Sequence, residues 1–167
     1  LEGIWKDRKD ITDSVEFVQN LRKRATRPHI RKMLKGIWSL FMILIDTDII
    51  VDYLRNYAPA VQWIESQEEE ILISGYSCLE LIEGCVNSKS LNKLNSTLSL
   101  FTIVWSNQIS NEYAVDTFSK LKLKIGIDFV DCLIGHTAVE LSLPLYTFNK
   151  KHYKHIPKLK TIQPYKK

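Results

Sequence analysis

No CxxC pair occurs in this chain, and its three cysteines, Cys78, Cys85 and Cys132, are an odd number at spacings that give neither a zinc ribbon nor a disulfide framework. They read as small buried hydrophobes of a reducing compartment, which predicts a cytoplasmic protein. Long apolar runs are missing as well. The longest, residues 37–45, is broken by Ser39 and stopped by Asp46, too short to cross a bilayer, and no signal peptide is visible, so no membrane partner is expected. Acids are absent from residues 150–167, which hold seven lysines.

What is present is the balance of a folded globular chain, 45% hydrophobic and 25% charged residues, over a length that suffices for one core plus an appendage. The net charge of +4 divides unevenly at Met42. Residues 1–41 hold 10 Lys and Arg against 5 Asp and Glu, whereas the remaining 126 hold 13 against 14. Two parts follow: a basic segment, 1–41, and a domain, 42–167, whose body is acidic and whose end is basic.

Met42-Ile43-Leu44-Ile45 followed by Asp46 reads as a buried parallel strand with a carboxylate at its C-terminal edge. Shorter apolar runs recur at residues 71–74, 101–104, 145–148 and, more weakly, 161–163. Helical spacing covers residues 48–56, 59–67, 77–86, 90–98, 112–124 and 128–141. Strands alternating with helices predict a three-layer α/β fold, a mostly parallel sheet of 4–5 strands flanked by helices. In the first segment, Asp10-Ile11-Thr12-Asp13 offers a helix start, and Ile11, Val15, Val18 and Leu21 then share one face before Arg22-Lys23-Arg24. This predicts an N-terminal amphipathic helical arm. Ile4, Trp5 and Phe17 add large apolar anchors for a groove, against the plain alternative of a solvated arm.

In a wound parallel sheet ligands bind at the carboxyl ends of the strands, and three acids fall there. Asp46 ends the first strand, Glu80 follows the second in the first turn of its helix, and Asp131 lies in the first turn of the helix opened by Asp128. Carboxylates at close range repel unless a cation neutralises them. Hard oxygen ligands select Mg²⁺ or Mn²⁺ over Zn²⁺, and such an ion bridges phosphate oxygens and activates water for phosphodiester hydrolysis. The helix terminus at Asp131 favours its ionised form. Singly, each acid has a structural alternative: Asp46 and Asp48 as turn or cap, Asp128 as N-cap, Glu83 as a solvated neighbour of Glu80. The signal is that three of them share one edge.

Asp46-Thr47-Asp48-Ile49-Ile50-Val51-Asp52-Tyr53-Leu54 resembles the opening motif of the PIN-domain toxins of VapC type, the nuclease halves of bacterial toxin-antitoxin pairs. Ser77-Cys78-Leu79-Glu80-Leu81-Ile82-Glu83-Gly84 is similar to their second motif, Asp131-Cys132-Leu133-Ile134-Gly135-His136-Thr137-Ala138 to their third, and residues 145–153, Leu-Tyr-Thr-Phe-Asn-Lys-Lys-His-Tyr, to the closing "L-x-T-x-N-x-x-D-F". The resemblance covers nearly all of residues 42–167. It implies a PIN-like fold and a homodimeric, metal-dependent endoribonuclease acting on RNA. Asp46, Glu80 and Asp131 would be its metal ligands and, with Asn149, its catalytic residues. Lys150, Lys151 and Lys154 would attract the RNA backbone.

Three positions depart from the pattern: Asp48 stands for Asn, Asn149 where many relatives carry a fourth acid, and His152 for the Asp of the last motif. Asn149 could orient a metal-bound water through its amide. His152 reads either as a phosphate contact or, more plainly, as a surface histidine on a basic helix.

Gly3-Ile4-Trp5-Lys6-Asp7-Arg8, with Asp13-Ser14-Val15-Glu16-Phe17-Val18 and Leu21-Arg22, resembles the toxin-binding tail of the cognate VapB-type antitoxins over about residues 3–24. That implies an antitoxin partner whose fragment is fused in front. Trp5 and Val18 would anchor it, and Arg22 and Arg24 would reach the acidic pocket to inhibit. Residues 25–41 match neither family and read as a linker. Two alternatives stay open: a non-catalytic, autoinhibited binding module, and a haloacid-dehalogenase-type phosphatase with Asp46 as nucleophile. For the phosphatase, Ile49-Ile50 stands where Gly-Thr is usual.

Overall fold

The computed structural model describes residues 42–167. The predicted arm, with Trp5, Val18, Arg22 and Arg24, and the linker lie outside the described residues. The chain runs β1 (Met42–Ile45), α1 (Thr47–Leu54), α2 (Ala58–Glu65), β2 (Glu70–Ser74), α3 (Gly75–Glu83), α4 (Ser88–Leu98), β3 (Thr102–Val104), α5 (Gln108–Ile125), α6 (Phe129–Leu141), β4 (Leu145–Tyr146), α7 (Lys150–Tyr153) and β5 (Thr161–Ile162). The five strands pair in parallel throughout, in the order β3-β2-β1-β4-β5. The expected three-layer α/β architecture is therefore observed.

Pleating explains why the strands read as unbroken apolar runs. Leu44, Leu72 and Leu145 face one layer and pack with Ala114 of α5 and Cys132, Ile134 and Ala138 of α6. Ile43, Ile45, Ile73 and Ile103 face the other, against Ile49 and Ile50 of α1, Leu81 of α3 and Leu94 and Leu98 of α4. Each fully buried side chain of this size contributes about 1.5–3 kcal/mol relative to exposure. A one-residue slip of β1 would exchange the two sets, so the register is fixed by both layers. Helix α6 is apolar almost all round because it is buried almost all round, and a Cβ at Gly135 would collide with Ile156.

Element ends differ from the spacing in instructive ways. Helix α3 starts directly off β2: Ser74 caps it through the Tyr76 N–H at 3.2 Å, and Gly75 fits beneath Trp105 where a Cβ would clash. Glu80 consequently lies in the second turn, not the first turn predicted. Helix α5 begins four residues earlier than predicted because Asn107 accepts the Ser110 N–H at 2.9 Å. Strand β4 stops at Tyr146, since the Phe148 N–H leaves the ladder for the Asp48 carboxylate at 2.9 Å. Gly126, at φ 70°, ends α5 in the left-handed conformation that glycine adopts at least cost, and Asp128 then caps α6 as its plain reading foresaw.

The chain leaves β1 towards β2 and β3 on one side and returns through β4 and β5 on the other. A crevice therefore opens outside the carboxyl ends of β1 and β4. Among the described residues no helix is long and apolar enough to cross a membrane.

Candidate active site

Asp46 sits at the floor of that crevice, 4% exposed. Its backbone N–H extends the sheet by donating to the Tyr146 carbonyl at 3.0 Å. Its carboxylate caps α1 by accepting the Thr47 N–H at 2.8 Å, so the structural reading of Asp46 holds alongside any chemical one. Two hydroxyls from the far end of the chain donate to it as well: Thr147 Oγ1 to Oδ2 at 2.6 Å and Tyr153 Oη to Oδ1 at 3.1 Å. Three donors favour the anion, yet burial, followed by repulsion from Asp48, outweighs them and pushes the carboxyl up to about 7.

This has a measurable sign. A folded pKa of about 7 over an unfolded value near 4 means the folded chain holds an extra proton between those values, so stability is lost as pH rises through that window. Three pH units correspond to on the order of 4 kcal/mol. In EDTA the melting temperature is expected to fall from pH 5 to pH 7.5, and Asp46→Asn to flatten the fall; an unchanged slope in that variant would remove Asp46 as its source.

Asp131 approaches from the first turn of α6. His152 Nδ1 lies 2.7 Å from its Oδ2, and Asn149 Nδ2 stands 3.3 Å and 3.4 Å from its two oxygens. His152 is thus not the free surface histidine of the plainer sequence reading, since its side chain is 24% exposed and engaged with an acid. Glu80 faces the same field from α3. Its carboxyl is pushed up, first by burial of the carboxyl group and then by the charges of Asp131, Asp128 and Glu83, with the Thr47 side chain opposing.

Asp48, in the first turn of α1, has one oxygen on the Phe148 N–H and the other, Oδ1, buried without a hydrogen-bond partner; burial raises it too. Beyond it the Lys167 ammonium pairs with Asp52 at 2.7 Å and lies 4.2 Å from the centre of the Phe148 ring, while the Tyr165 hydroxyl donates to Asp52 at 2.7 Å. Lys150, Lys151 and Lys154 are exposed on and just after α7, the helix that carries His152.

The crevice therefore brings Asp46, Asp131, Asn149 and His152 onto one edge, with Glu80 near enough to Asp131 for their charges to repel. Among the described residues no three His, Cys, Asp or Glu side chains converge closely enough to hold a metal ion as they stand. In donor type Asp46, Glu80 and Asp131 nevertheless suit a hard divalent cation: all offer carboxylate oxygen, Asp46 and Glu80 have raised carboxyls, and beside them Asp48 Oδ1 is buried without a partner. Spacing alone singled out neither Thr147 nor Tyr153. Both stand in the closing motif, but the direction of a hydroxyl is not encoded in a pattern of spacings.

The PIN domain profile matches residues 43–159. The chain is 32% identical over 119 residues, 68% of its own length and 80% of the other's, to ribonuclease VapC1 of Methanocaldococcus jannaschii. Among solved structures it is similar to VapBC2 from Rickettsia felis bound to a DNA fragment from their promoter, at 25% identity, TM-score 0.62, covering 72% of this chain and 97% of that one. It is also similar to the toxin-antitoxin complex from Klebsiella pneumoniae, at 25% identity, TM-score 0.56, covering 75% and 99%.

Proposed function

The chain belongs to the PIN-domain family, and from that premise we propose that it is the toxin of a toxin-antitoxin pair, an endoribonuclease that hydrolyses RNA phosphodiester bonds with a divalent metal. The observation that carries the reading is the placement of Asp46 and Asp131 at the β1-β4 crevice, where burial and the charges of Asp48 and Asp131 destabilise the ionised form of Asp46. Asp46, Glu80 and Asp131 would hold Mg²⁺ or Mn²⁺, which when bound supplies charge neutralisation and a water of lowered pKa. Thr147 and Tyr153 hold Asp46 from two sides, and Asn149 reaches Asp131 with its amide. The exposed Lys150, Lys151 and Lys154 draw the RNA backbone towards an otherwise acidic crevice, a salt-sensitive contribution independent of sequence.

The division into a nuclease domain, 42–167, and an antitoxin-derived segment with linker, 1–41, belongs to the same proposal. It is supported by the family match beginning at residue 43 and by the near-complete coverage of the VapBC2 and Klebsiella chains. So do a cytoplasmic location, a homodimer and an antitoxin partner. The phosphatase reading loses its footing, because the family match over residues 43–159 is to the PIN domain.

The test is cleavage of a single-stranded RNA by residues 42–167 with Mg²⁺ or Mn²⁺, before and after chelation. Cleavage should vanish in excess EDTA and return on adding Mn²⁺. Full activity in EDTA would exclude the metal, and absence of cleavage under every metal condition would exclude the nuclease.

A further inference from the structure

Helix α7 places two adjacent donors on the two aspartates of the crevice. His152 Nδ1 lies 2.7 Å from Asp131 Oδ2, and the Tyr153 hydroxyl donates to Asp46 Oδ1 at 3.1 Å. Consecutive residues of a helix project about 100° apart, so one short helix can reach acids that arrive from different elements, Asp46 off β1 and Asp131 on α6. The two contacts differ in burial. Tyr153 is fully buried, whereas the His152 side chain keeps 24% of its surface. Asn149, the residue before α7, also reaches Asp131, but at 3.3 Å and 3.4 Å its bonds are long and shared between the two oxygens. The 2.7 Å contact of the imidazole is therefore the one that fixes the plane of the Asp131 carboxylate.

We infer that His152 and Tyr153 are positioning residues: a donor pair on α7 that orients Asp131 and Asp46 towards a shared cation. It acts by holding two carboxylates rather than adding a further negative charge. The inference rests on the nuclease reading above for the purpose of the pair, though the two hydrogen bonds stand without it. It requires His152 to carry its hydrogen on Nδ1, since an ionised carboxylate can only accept. The Nε2 atom, which takes no hydrogen bond among the described residues, is not needed for the role. A positioning partner behind a metal ligand is typically worth about 10–100-fold in metal affinity or activity, so the pair should be visible in binding as well as turnover.

The amide nitrogen of asparagine overlays Nδ1 of a histidine, whereas that of glutamine reaches the place of Nε2, so the two substitutions separate the ring nitrogens. In the full chain, Mn²⁺ affinity followed by electron paramagnetic resonance should weaken by about 10–100-fold in His152→Gln and Tyr153→Phe. It should stay within about threefold of wild type in His152→Asn, where the donor is restored. Tyr153→Phe removes one oxygen from a buried ring without changing its shape, and thermal melts check that each variant is folded. Ring ¹⁵N spectra at pH 8 give the tautomer directly, with Nδ1–H expected. An Nε2–H tautomer, or Mn²⁺ affinity in His152→Gln and Tyr153→Phe equal to wild type, would overturn the inference. If the wild-type chain takes up no Mn²⁺, the metal of the proposed function fails, and the tautomer alone then decides whether His152 clamps Asp131.

Discussion

Asp46→Asn and Asp131→Asn are each expected to lower RNA cleavage by residues 42–167 by at least about 100-fold, because the cation they would hold supplies several kcal/mol of charge stabilisation. Neither change should unfold the domain. Asparagine keeps the shape and one accepting oxygen, so Thr47 and Tyr153 can still donate to position 46, and His152 to position 131. The loss at position 46 is the hydroxyl of Thr147, which would face an amide instead of a carboxylate oxygen. Against that stands relief of a buried carboxyl whose pKa is raised to about 7, a gain that is full above that pH. At pH 8 in EDTA the Asp46→Asn domain should therefore melt at or above the wild-type temperature. Paired cleavage rates and melting curves decide the matter. A variant that cleaves like wild type, or one that is silent only because it no longer folds, would sink the assignment of these acids to the chemistry.

Releasing the first segment is expected to raise cleavage by the full chain about tenfold or more, to the level of residues 42–167 alone. Fully burying a large apolar side chain contributes about 1.5–3 kcal/mol, so Trp5→Ala together with Val18→Asp removes enough docking energy for at least a hundredfold weaker contact. That matters because a tethered segment acts at an effective concentration of the order of millimolar, which single mild substitutions would not overcome. Arg22→Ala with Arg24→Ala should behave differently, leaving the segment docked but less inhibitory, since guanidinium groups pair with carboxylates rather than fill grooves. Leu79 stands exposed beside Glu80 on α3, an apolar neighbour next to an acid of the kind such a segment needs. RNA cleavage measured with protease protection of residues 3–24 reads both effects at once. If the full chain already cleaves as fast as residues 42–167, or the Trp5→Ala, Val18→Asp chain stays protected and silent, residues 1–41 are only an arm.

The layers were legible in the sequence because a strand covered on both faces has to be apolar throughout, as Ile43, Leu44 and Ile45 are, and the helices between strands kept their 3.6-residue period. Asp46 and Asp131 were legible for a related reason: an acid that ends an apolar run, or opens a helix, has its place fixed by the element itself. Boundaries were less so. Ser74 turned a strand end into a helix cap and Asn107 did the same for α5, each through one local hydrogen bond that periodicity does not register. What stayed hidden is tertiary. His152 looked like a solvated histidine on a lysine-rich stretch, and nothing in the spacing said that α7 would turn it onto Asp131. Thr147 and Tyr153 lie about a hundred residues from Asp46, and their hydroxyls found it only because β1 and β4 are neighbours at the centre of the sheet.

That separation bears on when, during synthesis, the crevice can be completed. The groups that hold Asp46 follow it by 101 and 107 positions, and β4 cannot join β1 until they have been made. A nascent chain thus carries a half-built crevice until residues 145–153 have been synthesised. Residues 1–41 precede all of these in the chain and are synthesised before them. The segment proposed to restrain the domain is therefore in place before the crevice can close.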